Sequence, residues 1–127
     1  MAFGRDDDLF VCDLKHAAVF RVETRSGQVE RFADGAPGQP LRIPNYPAFD
    51  AAGNLYVGCY EPSQVLRVDP AGRVELLFRE WSAHLLAHPT NLAFRGTTMF
   101  TANLGRWHLT RLEVGVAGLA LPPGGWR

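Results

Sequence analysis

One pattern recurs along this chain and restricts what it can fold into. Residues 2–11 (Ala-Phe-Gly-Arg-Asp-Asp-Asp-Leu-Phe-Val) align without a gap on residues 48–57 (Ala-Phe-Asp-Ala-Ala-Gly-Asn-Leu-Tyr-Val), at an offset of 46. Residues 93–101 (Ala-Phe-Arg-Gly-Thr-Thr-Met-Phe-Thr) repeat the pattern at an offset of 45, with a turn one residue shorter. Each copy reads as an apolar run, a tight turn and a second β-rich run, the mark of a hairpin. A third strand is predicted after each hairpin, at Val19–Glu23, Val65–Asp69 and Leu109–Glu113. A fourth follows a glycine turn twice, over 27–32 and 72–78. Four strands per unit at a period near 45 is the signature of a β-propeller blade. The expected architecture is therefore all-β, with about three four-stranded blades over 1–33, 44–79 and 90–121. Residues 115–121 leave room for only a weak fourth strand in the last unit. The nearest thing to an amphipathic helix, Val74 to Leu86, fits a strand and a loop better.

The strand chemistry agrees with this layout. Apolar residues alternate with Arg or Glu in the third and fourth strands, as half-exposed strands should. The hairpins are more uniformly apolar, as inner strands packed between neighbouring blades would be. Segments 33–44 and 79–90, rich in Pro, Gly and His, would cross between blades. A blade buries its faces only against its neighbours, so an open stack leaves two apolar faces exposed. Propellers close with about four to eight blades, and this chain holds a little under three. Two arrangements satisfy that count: missing N-terminal blades of a larger propeller, or a half-propeller that closes as a homodimer.

Composition narrows the function classes. Thirteen basic residues balance thirteen acidic ones, so no electrostatic footprint marks a nucleic-acid or anionic-membrane partner. Two cysteines, Cys12 and Cys59, are too few for a disulfide framework and read as small buried hydrophobes. Neither has a recognisable base beside it, and no Gly-x-Ser-x-Gly elbow occurs, so nucleophilic catalysis has no foothold. There is no apolar run of 18 residues, and residues 1–8 lack the features of a signal peptide. The expectation is a soluble, cytoplasmic protein.

Asn45, between Pro44 and Pro47, is the leading site candidate. It stands where a first strand enters the central channel, so its amide oxygen could reach a hard cation. It could equally cap a proline-flanked turn. Asn91 is read as its counterpart in the third unit, in a structural role. His84 and His88 are spaced i, i+4, as a helical zinc pair would be, but nothing supplies a third ligand and loop histidines are the better reading. His16, Tyr60, Glu61, Asn103, Trp107 and His108 fall in loops between second and third strands. In a propeller those loops share one face with Asn45, which makes them substrate-contact candidates, although such residues are more often structural. Asp6-Asp7-Asp8 occupies a hairpin turn and reads as solvated.

With the repeat laid out, the chain resembles the senescence-marker-protein/gluconolactonase (regucalcin-like) family, matched to its C-terminal half. The likeness rests on Ile43-Pro44-Asn45 with residues 48–57, on Cys59-Tyr60 with residues 65–70, on residues 90–96, and on residues 112–119. The resemblance implies a six-bladed propeller with a divalent metal in the channel, calcium first, with zinc or manganese as alternatives. It implies metal-assisted hydrolysis of a small-molecule lactone or sugar-derived ester. The family's ligands are an early Glu, a middle Asn and a later Asp or Asn. Asn45 matches the last of these; the early Glu has no counterpart, and the middle Asn would lie upstream of Met1. Where the family's Asp serves as a general base, Asn45 cannot, because an amide takes up no proton near neutral pH. The alternative reading is a non-catalytic, NHL-like binding or interaction propeller.

Overall fold

The computed structural model describes residues 1–35 and 41–120. Part of the crossing segment 33–44 and the end of the third unit at residue 121 therefore lie outside the described residues. Every element among the described residues is a strand. The first sheet runs β1 (Ala2–Phe3), β2 (Leu9–Asp13), β3 (Ala18–Val22) and β4 (Val29–Asp34). The second runs β5 (Pro44–Phe49), β6 (Leu55–Cys59), β7 (Gln64–Val68) and β8 (Val74–Arg79). The third has β9 (Pro89–Arg95), β10 (Thr98–Asn103) and β11 (Leu109–Glu113). Within each sheet the strands lie in sequence order and pair antiparallel. This meander, repeated three times, is a partial β-propeller.

The sheets stack face to face, with their first strands β1, β5 and β9 side by side. The middle sheet is covered on both faces, and all five residues of β6 are buried. On one side Phe10 and Val19 meet Phe49, Leu55, Val57 and Leu66. On the other, Tyr56 and Val65 meet Leu92 and Met99, with Leu86 of the crossing segment closing the edge. Each fully buried apolar side chain of this kind contributes about 1.5–3 kcal/mol relative to exposure. Cys59 is fully buried and Cys12 packs beside it. Both thiols are free, and burial pushes their pKa values up to about 12, so neither is a thiolate at neutral pH.

Asp-x-x-Gly turns close the hairpins of the second sheet. The Asp50 N–H donates to Asn54 O (3.0 Å), and the Gly53 N–H donates back to Asp50 O (3.1 Å). Gly53, at φ 90°, takes the left-handed conformation that the turn requires. Asp69 and Gly72 build the same turn between β7 and β8. In the first sheet the three-aspartate turn departs from the solvated reading at one position. Asp6 and Asp7 are exposed, but Asp8 is buried and accepts a 2.7 Å hydrogen bond from Arg21 Nε. An isolated carboxylate would not be buried there; the guanidinium on the neighbouring strand makes it tolerable.

The third sheet has three strands among the described residues, and 115–120 do not add a fourth to β11. That segment crosses the turn end instead. Gly118 N–H donates to Gly96 O (3.0 Å), Leu119 N–H donates to Phe49 O (2.9 Å), and Ala117 O accepts from the Ala51 N–H (2.6 Å). The reason is steric as well as polar. Gly118 lies so close over Phe94 that a Cβ there would fall 2.1 Å from the Phe94 Cβ. The tail thus ties the second sheet to the third.

Candidate functional site

The strands have two unlike ends. Short Asp- and Gly-based turns make one end; the loops between second and third strands, together with the crossing segments, make the other. The left-handed non-glycine residues concentrate at the loop end: Ala17, Ile43, Ser63, Ala83 and His88 have φ between 46° and 53°. Two pairs recur by the repeat. Ile43 and His88 each precede the proline that opens a first strand, and Ala17 and Ser63 each open a third strand. A non-glycine residue in this region is strained, and surrounding contacts must hold it there.

Asn45 lies at this end on β5, half-buried. Pro44 pairs with Cys59 and Pro47 with Val57, so Asn45 and Tyr46 together face the single residue Gly58. This is a β-bulge, a device that re-aims side chains at the rim of a sheet. The Asn45 amide makes no side-chain hydrogen bond among the described residues. The bulge recurs in β9, where Thr90 and Asn91 face Ala102. Register therefore corrects the expected correspondence. Thr90 holds the position of Asn45, and its hydroxyl donates to Ala102 O (3.3 Å), whereas Asn91 matches the exposed Tyr46. Counting from Pro44 and Pro89 rather than by residue type finds this match.

The six loop candidates separate by their contacts. His16 is held within its own loop by Asp13, Nδ1 to Oδ2 at 2.9 Å, and that contact draws the Asp13 pKa down. Asn103 spends its amide on the loop: it accepts from Ala87 N–H (3.2 Å) and Thr101 Oγ1 (3.2 Å) and donates to His108 O (3.0 Å) and Thr110 Oγ1 (2.7 Å). His108 Nε2 lies 2.9 Å from Leu85 O. Trp107 projects fully into solvent. Glu61 is exposed and precedes Pro62. Tyr60 is half-buried beside the start of β5, its N–H donating to Ile43 O (3.2 Å).

His88 lies in a loop, as the sequence reading favoured, but it is half-buried. It belongs to no helix, and its ring stacks on Tyr60 with centroids 4.3 Å apart and planes at 22°. Its Nδ1 is 2.7 Å from Tyr60 O, and its N–H donates to Ser63 Oγ (3.0 Å). His88 therefore fastens the second sheet's loop to the third sheet's first strand, while His84 stays exposed on the other side of Leu85 and Leu86. Its match to Ile43, immediately before a strand-opening proline, was the available signal.

Glu80 organises the crossing segment. Its carboxylate accepts from the N–H groups of Leu86 (2.7 Å), Leu85 (2.8 Å) and His84 (3.2 Å) and from Ser82 Oγ (2.7 Å). Those bonds, led by the Leu86 N–H, hold its pKa down to about 2. No group of three His, Cys, Asp or Glu side chains capable of holding a metal occurs among the described residues. One half-buried amide oxygen at Asn45 fits a hard cation as a single ligand, not as a complete site.

No family model and no curated protein sequence matches the chain. Solved structures do match in fold. Virginiamycin B lyase from Staphylococcus aureus superposes with a TM-score of 0.70 at 16% identity, over 94% of this chain and 40% of that one. Its catalytically inactive H270A form with quinupristin gives 0.70 at 17%, over 96% and 40%. A luciferin-regenerating enzyme gives 0.63 at 14%, over 93% and 45%. At these identities the likeness is one of fold, and this chain spans less than half the length of either protein. No helix among the described residues is long and apolar enough to cross a membrane.

Proposed function

We propose that this chain forms part of the channel of a regucalcin/gluconolactonase-like propeller that opens a sugar lactone or related ester with metal-activated water. The observation that carries the reading is Asn45: a half-buried amide, unpartnered among the described residues, at a bulge on an innermost strand. A bound divalent cation would polarise the ester carbonyl and lower the pKa of its water. Asn45 would give that cation one neutral oxygen, and Tyr60, Glu61 and Thr90 stand at the same strand end. Calcium takes about 6–8 oxygens, so most of the shell comes from water and from residues beyond this chain. The chain by itself binds weakly and is catalytically incomplete. The proton that water gives up must go to another group, since Asn45 cannot take it.

Titration calorimetry with calcium, manganese and zinc tests this. The expected result is a weak heat with at least one cation that disappears in Asn45→Ala while the fold is retained. An absence of heat with all three, or an unchanged titration in Asn45→Ala, removes the metal reading. What would then stand is the binding-module alternative, which the exposed Trp81, Leu85, Leu104 and Trp107 favour.

A further inference from the structure

The boundaries between sheets are closed by one repeated aromatic pair. Phe10 in β2 meets Phe49 at the end of β5, with centroids 4.9 Å apart and planes at 74°. At the next boundary Tyr56 in β6 meets Phe94 in β9, at 5.2 Å and 73°. Strand register shows that these are the same two positions each time. Phe10, Tyr56 and Phe100 pair across the hairpin with Ala2, Ala48 and Ala93. Phe3, Phe49 and Phe94 pair with Leu9, Leu55 and Met99. Three aromatic rings of each kind make two pairs and leave two halves over. Phe100 and Phe3 have no aromatic partner among the described residues, and Phe3 is 60% exposed.

The leftover rings sit on leftover faces. Phe49, Leu55, Val57, Leu66 and Val68 are buried against the first sheet. Their repeat equivalents Phe3, Leu9, Val11, Phe20 and Val22 face outward from the first sheet, with no further sheet over them among the described residues; only the Arg31 guanidinium and the His16 ring lie against Phe20. At the far end, Ala93, Phe100, Ala102 and Leu109 correspond to Ala48, Tyr56, Gly58 and Val65, which the third sheet covers in the middle of the stack. Leu109 is 68% exposed. The two open faces are thus the two complementary sides of an interface that the chain already makes twice.

We propose that these faces pair between two copies of this chain, with Phe100 of each copy set edge to face against Phe3 of the other. Three sheets from each copy then close a ring of six, within the range of known propellers. Because the contact joins unlike faces, two-fold symmetry uses it twice and leaves no face over. The inference rests on the faces alone and is independent of the metal reading.

Light scattering on the purified chain is the test. The expected mass is twice the chain's 14.0 kDa. Phe100→Glu alone and Phe3→Arg alone each give monomer with an unchanged circular dichroism spectrum. Mixing the two variants restores the dimer, because one junction is then unaltered and the other sets Glu against Arg. Leu109→Glu, at a more exposed position, serves if Phe100→Glu unfolds. A wild-type monomer at high micromolar concentration overturns the proposal. So does a dimer indifferent to changes on either face alone, which means like faces are pairing, or an open series of larger species. A native polypeptide whose own additional blades cover both faces also overturns it.

Discussion

The two ends of these sheets solve the same problem, reversing the chain, in opposite ways. In the turns of the second sheet much of the polar work is done by side chains two to six residues away. Asp50 is buried and accepts from Ala52 N–H (2.8 Å), Asn54 N–H (2.9 Å), Asn54 Nδ2 (2.8 Å) and Tyr56 Oη (3.0 Å). In the second sheet's turns the strain falls on Gly53 and Gly72, where it costs little, although in the first sheet's turn Asp7 carries it. At the loop end the partners come from other sheets. His88 reaches Tyr60 and Ser63 across 28 and 25 residues, and Asn103 reaches Ala87 across 16. The strain there falls on Ile43, Ser63, Ala83 and His88. A turn closed largely by its own residues can repeat from blade to blade; an end built from long-range contacts can vary. Asn45 stands at the second kind of end, where a propeller can change chemistry without changing fold.

If the turn end carries stability, breaking Asp50 has the largest effect. Asp50→Ala removes a buried acceptor from four donors at once, the Tyr56 hydroxyl among them. A loss of about 3 kcal/mol or more is expected in urea unfolding. Burial, and then the hydrogen bond to Asp50, push the Tyr56 phenol up to about 12. Asp50→Ala should therefore also bring that tyrosine's absorbance titration back toward its ordinary range. A variant within experimental error of wild type in stability would mean that the turn end is not the anchor.

Gly118→Ala comes next. The added Cβ would overlap the Phe94 side chain and lift the tail from the turns at Phe49 and Gly96. Overpacking of this kind costs about 1–3 kcal/mol. Hydrogen exchange should show faster exchange at the Ala51, Gly118 and Leu119 amides, with the loop end unaffected. Equal loosening at both ends would break the distinction drawn between them.

The same contrast explains how much was legible beforehand. Strand order, hairpins and glycine turns were visible because each is encoded within a few residues: alternation, Asp-x-x-Gly, and a period near 45. The burial of Cys59 and the strand-then-loop character of Val74 to Leu86 were readable for the same reason. Asn45 could be placed at the start of a first strand because Pro44 and the hairpin bracket it. Much of what escaped was encoded between units. The Tyr60–His88 stack needs the sheets already packed, whereas the Glu80 nest lies within six residues but carries no recognised motif. His84 and His88 were legible as loop histidines, but that His88 packs on Tyr60 was not. Asp8 looked solvated because its partner, Arg21, is two strands away in sequence and adjacent only in the sheet. The turn of residues 115–120 across the second sheet depends on Gly118 fitting over Phe94, a contact that no window of the sequence contains.

The smallest effect expected is also the most diagnostic of the loop end. Glu80 is close to solvent, yet three backbone N–H groups and the Ser82 hydroxyl converge on it, holding its pKa near 2 in place of the usual 4.5. A carboxylate whose pKa is lower folded than unfolded binds its proton more readily in the unfolded chain. Its contribution is therefore fully present above pH 4.5 and is lost as pH falls through that value toward 2. Glu80→Gln keeps the shape and one acceptor oxygen but removes the charge. The wild-type advantage over Glu80→Gln should be constant from neutral pH to about 5 and shrink steadily below it. Amide exchange at Leu85 and Leu86 should follow the same curve, with the Asp50 turn unmoved. A difference that persists undiminished at pH 2 would show that the loop is held by packing around Leu86 and not by the carboxylate. The loop end would then resemble the turn end more closely than its strained residues suggest.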